Sequence, residues 1–430
     1  MPSPLFLLPL LLCPGLHQET ANKRRISVPS AHCSIVVPPG FERELVQDQE
    51  LHANRPRQYV GQIGGYRARL IVQLGEDRFS TISRCLAARI EDGTIEEVIA
   101  FRHAGKVICR VRRGDRERGE EIQEILCCPF DRPLSVAIVF EHSPSQTARN
   151  EANLVLASFA LLPASQITRA ELPKGEHKKR EINIGFTEQD APHVRVLESE
   201  HYRLYSTASG SQALLELLEA KVLPKLHPLL GSAPPSRNKL PIFLHRTRRG
   251  YMLAALRNGI PREQAMTMEA HAWDRYMSAS YASPRDPVLV HEATHQFLTA
   301  ELGLDGGGPW LQEGIARWIE SGYTREQPER TARHLVSRKQ LPRLKDLIES
   351  SNLFRLKVAG KKLAPQISYN VAASLIAFIA ERYPMKLKDF VLQCGVLPAG
   401  DLRLTEAASY RCLETDLSKL EAKWQQWLLD

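Results

Sequence analysis

Apolar and polar residues alternate along much of the chain up to about residue 170, and a helical period takes over further on. RQYVGQIGGYRARLIVQLG (57–75), RCLAARIEDGTIEEVIAFRHAGKVICRVRR (84–113) and PLSVAIVFEH (133–142) all read as strand-forming. Turn signals at Gly64–Gly65, Asp92–Gly93 and Gly105–Lys106 separate them. This pattern predicts a small β-rich domain of sandwich type over residues 26–170. AELPKGEHKKREI (170–182) is charged, with one proline and one glycine, and is the linker candidate, placed at 171–182.

From residue 183 the pattern predicts strand, helix, loop and strand: HYRLYSTAS, SQALLELLEAKVLPKLHPLL, GSAPPSRNK and LPIFLHR. Beyond residue 285 helices dominate, over Val288–Leu302, Pro309–Ser321, Ser368–Tyr383 and Leu417–Leu429. The fold class expected for 183–430 is therefore α+β, a small mixed sheet followed by a helical half.

Composition changes this picture little. The chain has 430 residues, enough for two domains with ordinary cores. A net charge of +8 spread over that length, without a long Lys/Arg block, argues against a nucleic-acid partner. RVRRGDRERGEE (110–121) mixes signs and reads as a solvated hairpin or loop; the RGD within it carries no weight alone.

PLFLLPLLLC (4–13) has the length of a signal-peptide core, too short to span a membrane. It lacks a basic start, and Leu12 before Cys13 is too large for a lipoprotein cleavage site. Residues 1–25 are read as a leader that directs export to the periplasm or outside the cell. No later stretch is apolar enough to predict a transmembrane segment. The eight cysteines form no CxxC pair, so a cysteine zinc knuckle is not expected; Cys394 and Cys412 are candidates for a disulfide.

The chemistry is concentrated in VLVHEATHQFLTAEL (288–302). Asp286 and Pro287 supply a cap and a first helical position, and Gly303 supplies a stop. His291 and His295 stand four apart, on one face of that helix, so their imidazoles can meet on one ion. Glu292 lies about 100° round the helix, placed to reach a water on the metal. This HExxH pattern also arises by chance, and a helix with two incidental histidines fits it too. A catalytic zinc needs a third protein ligand and an open position. PWLQEGIARWIES (309–321) offers Glu313, after 17 intervening residues, 296–312. GLDGGG (303–308) reads as a flexible reversal, Gly314 and Ala316 as residues that let the two helices approach, and Trp310 and Trp318 as packing around the site.

HExxH followed by W-L-x-E-G-x-A-x-W-x-E resembles the gluzincins, zinc metallopeptidases with a glutamate as third ligand, and in particular the aminopeptidase-like branch and its smaller peptidase MA-like relatives. The specific likeness covers 286 to about 320, and a weaker one extends from about 200 to the end. The resemblance implies that His291, His295 and Glu313 bind Zn2+, that Glu292 is the general base, and that a peptide or protein is the substrate. It also implies a later oxyanion donor, for which Tyr369 is the first candidate and Tyr323 and His334 are the others. Tyr383, at a helix end before Pro384, reads as structural. Glu320 is a candidate for the carboxylate behind a ligand histidine.

One departure matters. The amine-gripping G-x-M-E-N stretch of the aminopeptidases has only AMTMEAHAW (265–273) as its counterpart, so exopeptidase action is not carried over. Two other readings stand beside this one: a catalytically silent binding or scaffold protein on a peptidase fold, and a serine esterase. No G-x-S-x-G stretch supports the latter.

Overall fold

The computed structural model describes residues 24–28, 33–43, 56–74, 81–103, 106–115, 118–128, 133–161, 181–231, 239–273, 276–284, 286–324 and 327–430. The expected leader lies outside these residues up to residue 23, and the linker candidate lies outside them up to residue 180. Overall the chain is mixed α+β. It divides into two units, with Ala170 opening the long continuous part of the second. Thr81–Ala87 and Ala100–Val107 also group with that second unit. Among the described residues no helix is long and apolar enough to cross a membrane.

The N-terminal unit is built on a seven-stranded sheet. Its order is Glu42–Arg43, Arg57–Ile63, Tyr66–Leu74, Leu134–Phe140, Glu121–Cys127, Lys106–Gly114 and Thr94–His103. A separate sheet joins Arg24–Val28, Cys33–Val37 and Ala160–Leu161. Alternation works as expected in Tyr66–Leu74, which buries Ala68, Leu70 and Val72, whereas its neighbour Leu134–Phe140 is buried on both faces, Ala137 and Val139 as well as Val136, Ile138 and Phe140. The Gly64–Gly65 turn needs positive φ at both residues, and a Cβ on Gly64 would strike Ala148.

One strand expectation fails. Ile82–Asp92, which includes RCLAARIED, is a helix. Its buried residues Ile82, Cys85 and Leu86 follow an i, i+3, i+4 pattern, so the helical period outcompetes the strand reading there. RVRRGDRERGEE lies in a hairpin, one of its two readings: Lys106–Gly114 pairs antiparallel with Glu121–Cys127. Arg113 and Gly114 end a strand, and the Arg113 guanidinium reaches back to Glu124 at 3.6 Å.

Glu124 is 1% exposed and is held by Arg89, Arg113 and Ser135. Burial alone pushes its carboxyl up, but the two guanidinium groups and the serine outweigh burial and hold it below the ordinary range.

The second unit carries a five-stranded sheet in the order Arg195–Glu198, Tyr202–Ser206, Leu240–His245, Tyr276–Ser280, Ala270–Trp273. The three central strands are parallel and both edges antiparallel. Helices follow, among them Pro287–Gln296 with a π-helical continuation Phe297–Glu301, Pro309–Ser321, Pro328–Ser337, Pro365–Arg382 and Leu417–Leu429. Pro287–Gln296 packs on Ala270–Trp273 and Tyr276–Ser280, and the Gln296 amide donates to the Pro241 carbonyl of the central strand at 2.9 Å. Cys394 and Cys412 are both free thiols, so the disulfide expected between them is absent.

Removal of a buried charge leaves its partners uncompensated. Glu124→Ala should lower the unfolding free energy of the N-terminal unit by about 3–5 kcal/mol in denaturant titration. Because the folded carboxyl is depressed, Glu124's contribution is complete above the unfolded value of about 4.3 and is lost as pH falls towards the lower folded value. The acid sensitivity of that transition should therefore shrink in the variant.

Candidate metal centre

The helix Pro287–Gln296 begins as its sequence predicts. The Asp286 carboxylate accepts from the Val288 N–H at 3.1 Å, and Pro287 occupies the first turn. Leu289, Val290, Ala293, Phe297 and Leu298 are buried and anchor it. Val288 is only half-buried. At the other end Gly303 adopts positive φ after the last turn, as a helix stop requires.

Residues 303–308 do not form a flexible link. The Gly306 and Gly307 amides donate to the carbonyls of Gly395 and Leu397 at 2.8 and 2.7 Å. A Cβ on Gly306 would lie 2.3 Å from the Leu397 carbonyl oxygen. The reversal is thus pinned backbone-to-backbone, and glycine is needed for closeness. Gly314 likewise serves another partner than expected. Its missing Cβ admits Ala372 and Ile376 of Pro365–Arg382, not the histidine helix. Trp310 packs on Phe390, in the core rather than around the site.

Three ligand-type atoms converge. His291 Nε2 lies 3.1 Å from Glu313 Oε2, His295 Nε2 lies 3.4 Å from the same oxygen, and the two Nε2 atoms are 3.2 Å apart. Among the described residues these three side chains form the only group of three or more His, Cys, Asp or Glu near enough to share an ion. Donor atoms about 2.0–2.1 Å from a tetrahedral zinc lie roughly 3.3–3.4 Å from each other, so the spacing fits. Two imidazoles and one carboxylate are also the donor set of an open, catalytic zinc site.

Electrostatics favour positive charge at this point. Burial disfavours a charged His291, yet hydrogen bonds to Glu313 and Glu320 prevail and lift its pKa to about 10. Glu313 is desolvated too, but His295 and His291 hold its carboxyl far below the ordinary range.

Behind His291, Nδ1 faces Glu320 Oε2 at 3.0 Å. A carboxylate there makes Nδ1 the N–H side of the ring and leaves the Nε2 lone pair for an ion. Glu292 has its carboxyl raised by desolvation and by Glu313, against the pull of both histidines and of the Ala272 backbone N–H on the edge strand. Tyr369, on Pro365–Arg382, places its ring 6.3 Å from that of His291. Burial first, then the Glu313 and Glu292 carboxylates, push its phenol well above the ordinary value, so the hydroxyl stays protonated.

The other candidates are not brought to this cluster. The Tyr323 hydroxyl donates to the Lys221 carbonyl, and His334 is exposed in the last turn of Pro328–Ser337. Tyr383 caps a helix and accepts from Lys423 at 3.1 Å, in keeping with a structural role.

Two participants escaped the sequence reading. Arg317 donates through Nη1 to Glu320 Oε1 at 2.8 Å and through Nε to Asn370 Oδ1 at 2.9 Å. Its i, i+3 spacing from Glu320 was a usable signal. Asn370, from a distant helix, gave none.

No protein-family profile matches the chain, and no curated protein matches it. The purified protein should bind about one equivalent of zinc, and His291→Ala, His295→Ala and Glu313→Ala should each lose it on dialysis against buffer. Elemental analysis reads this directly; unchanged stoichiometry in all three would place the ion elsewhere.

Proposed function

We propose that the chain is a zinc-dependent peptidase acting on a peptide or protein, with a gluzincin-like catalytic unit. The observation that carries this reading is the convergence of His291, His295 and Glu313 on one point, with Glu292 on the histidine helix and its carboxyl coupled electrostatically to all three. The mixed sheet followed by helices supports the gluzincin-like arrangement.

Bound by those three residues, zinc would polarise a peptide carbonyl and acidify a water enough for attack near neutral pH. Glu292 takes the water's proton on its carboxylate and hands it to the leaving nitrogen. Desolvation raises its carboxyl, which makes it the stronger base for the first half of that task. The Ala272 N–H steadies the carboxylate from the edge strand. Tyr369 donates its protonated hydroxyl to the oxygen that becomes negative. Glu320 keeps the His291 ring in the tautomer that presents Nε2.

Glu292→Gln separates binding from turnover. It should retain about one equivalent of zinc and lose at least roughly 100-fold of hydrolysis on a denatured protein mixture read by mass spectrometry. Tyr369→Phe should keep zinc and lower kcat about 10²–10³-fold. Zinc in both the unmodified protein and Glu292→Gln, with no cleavage by either across varied substrates, would instead indicate a binding protein or scaffold.

A further inference from the structure

Arg317 is 4% exposed, so its guanidinium has left water almost completely. A buried cation is costly unless paired, and an apolar side chain of similar volume often stabilises such a position equally well. The partners it has chosen lead to the metal-type cluster from two directions. Through Glu320 the line is short: Arg317 Nη1 to Glu320 Oε1 at 2.8 Å, Glu320 Oε2 to His291 Nδ1 at 3.0 Å, His291 Nε2 to Glu313 at 3.1 Å. Through Asn370 it reaches the helix Pro365–Arg382 one residue from Tyr369, and the Asn370 amide donates onward to Thr331 at 3.2 Å.

We propose that Arg317 is a positioning residue that sets two features of the site together. It holds Glu320 against His291, and it locks the Tyr369 helix in register through Asn370. The inference rests on the zinc reading above. The planar guanidinium is suited to this because Nε and Nη1 diverge in a rigid fork, one towards a carboxylate and one towards an amide oxygen. Lysine offers a single ammonium and cannot span both partners in the same geometry. Asn370 likewise carries an acceptor for Arg317 and a donor for Thr331 in one group.

The test compares full-length protein, Arg317→Ala, Arg317→Lys and Asn370→Ala, with His291→Ala as control. Zinc affinity is measured by chelator competition, ligand geometry by the visible spectrum of the cobalt-substituted protein, and folding by the melting temperature of the metal-free forms. Arg317→Ala should weaken zinc binding about 10–100-fold and alter the cobalt bands. Arg317→Lys should recover part of the affinity. Asn370→Ala should keep zinc within about twofold and lower kcat more than it raises KM, in the direction of Tyr369→Phe. If Arg317→Ala does not fold, Arg317→Lys and Asn370→Ala carry the test. Zinc affinity and cobalt spectrum unchanged in the folded Arg317 variants, with only the melting temperature lowered, would overturn the proposal and leave a structural ion pair. Zinc absent from the unmodified protein, or retained by His291→Ala, would instead refute the metal reading on which it rests.

Discussion

Two imidazole nitrogens and a carboxylate oxygen face one another at 3.1–3.4 Å, mostly out of water, and the C-terminal unit is organised around that contact. Lone pairs directed at a common point repel unless positive charge lies among them. The same pressure shows in His291, whose affinity for a proton rises despite burial because carboxylates stand at both ring nitrogens. Such a cluster persists only if the elements bearing it cannot relax apart. The histidine helix is therefore capped by Asp286 and tied to the central strand through Gln296, while the following reversal is pinned to Gly395 and Leu397.

The Pro309–Ser321 helix is the hub of this arrangement. One side presents Glu313 to the histidines. Another, at Gly314, lets the Tyr369 helix approach until a methyl would touch the Ala372 carbonyl. Arg317 and Glu320 lie between, so polar bonds join the same three helices that packing brings together. Two buried carboxylates, one in each unit, are matched by several partners. Glu124 in the N-terminal sheet has two guanidinium groups and a hydroxyl; Glu320 has a guanidinium and an imidazole.

Much of this was legible in local pattern. Asp286–Pro287, the i, i+4 histidines, and the bounds of Pro309–Ser321 and Leu417–Leu429 follow from spacing, capping and period, which act within a few residues. Errors arose where a residue's neighbour was distant. RCLAARIED carries apolar residues compatible with either period, and burial of Ile82, Cys85 and Leu86 selects the helix. Gly306 and Gly307 read as slack because their carbonyl partners lie some ninety residues on. Gly314 and Trp310 were assigned to the metal site when the surfaces they meet belong to Pro365–Arg382 and to Phe390.

By itself, then, the sequence determined which residues could act as ligands, base and helix caps, since those depend on side-chain chemistry and short-range spacing. The tertiary structure decided whether His291, His295 and Glu313 meet, which glycine admits which helix, and that Tyr369 rather than Tyr323 or His334 stands beside the cluster. It also chose Glu320, Arg317 and Asn370 as the support behind His291. Distances between side chains on different helices follow from long-range packing, and no period within one helix encodes them.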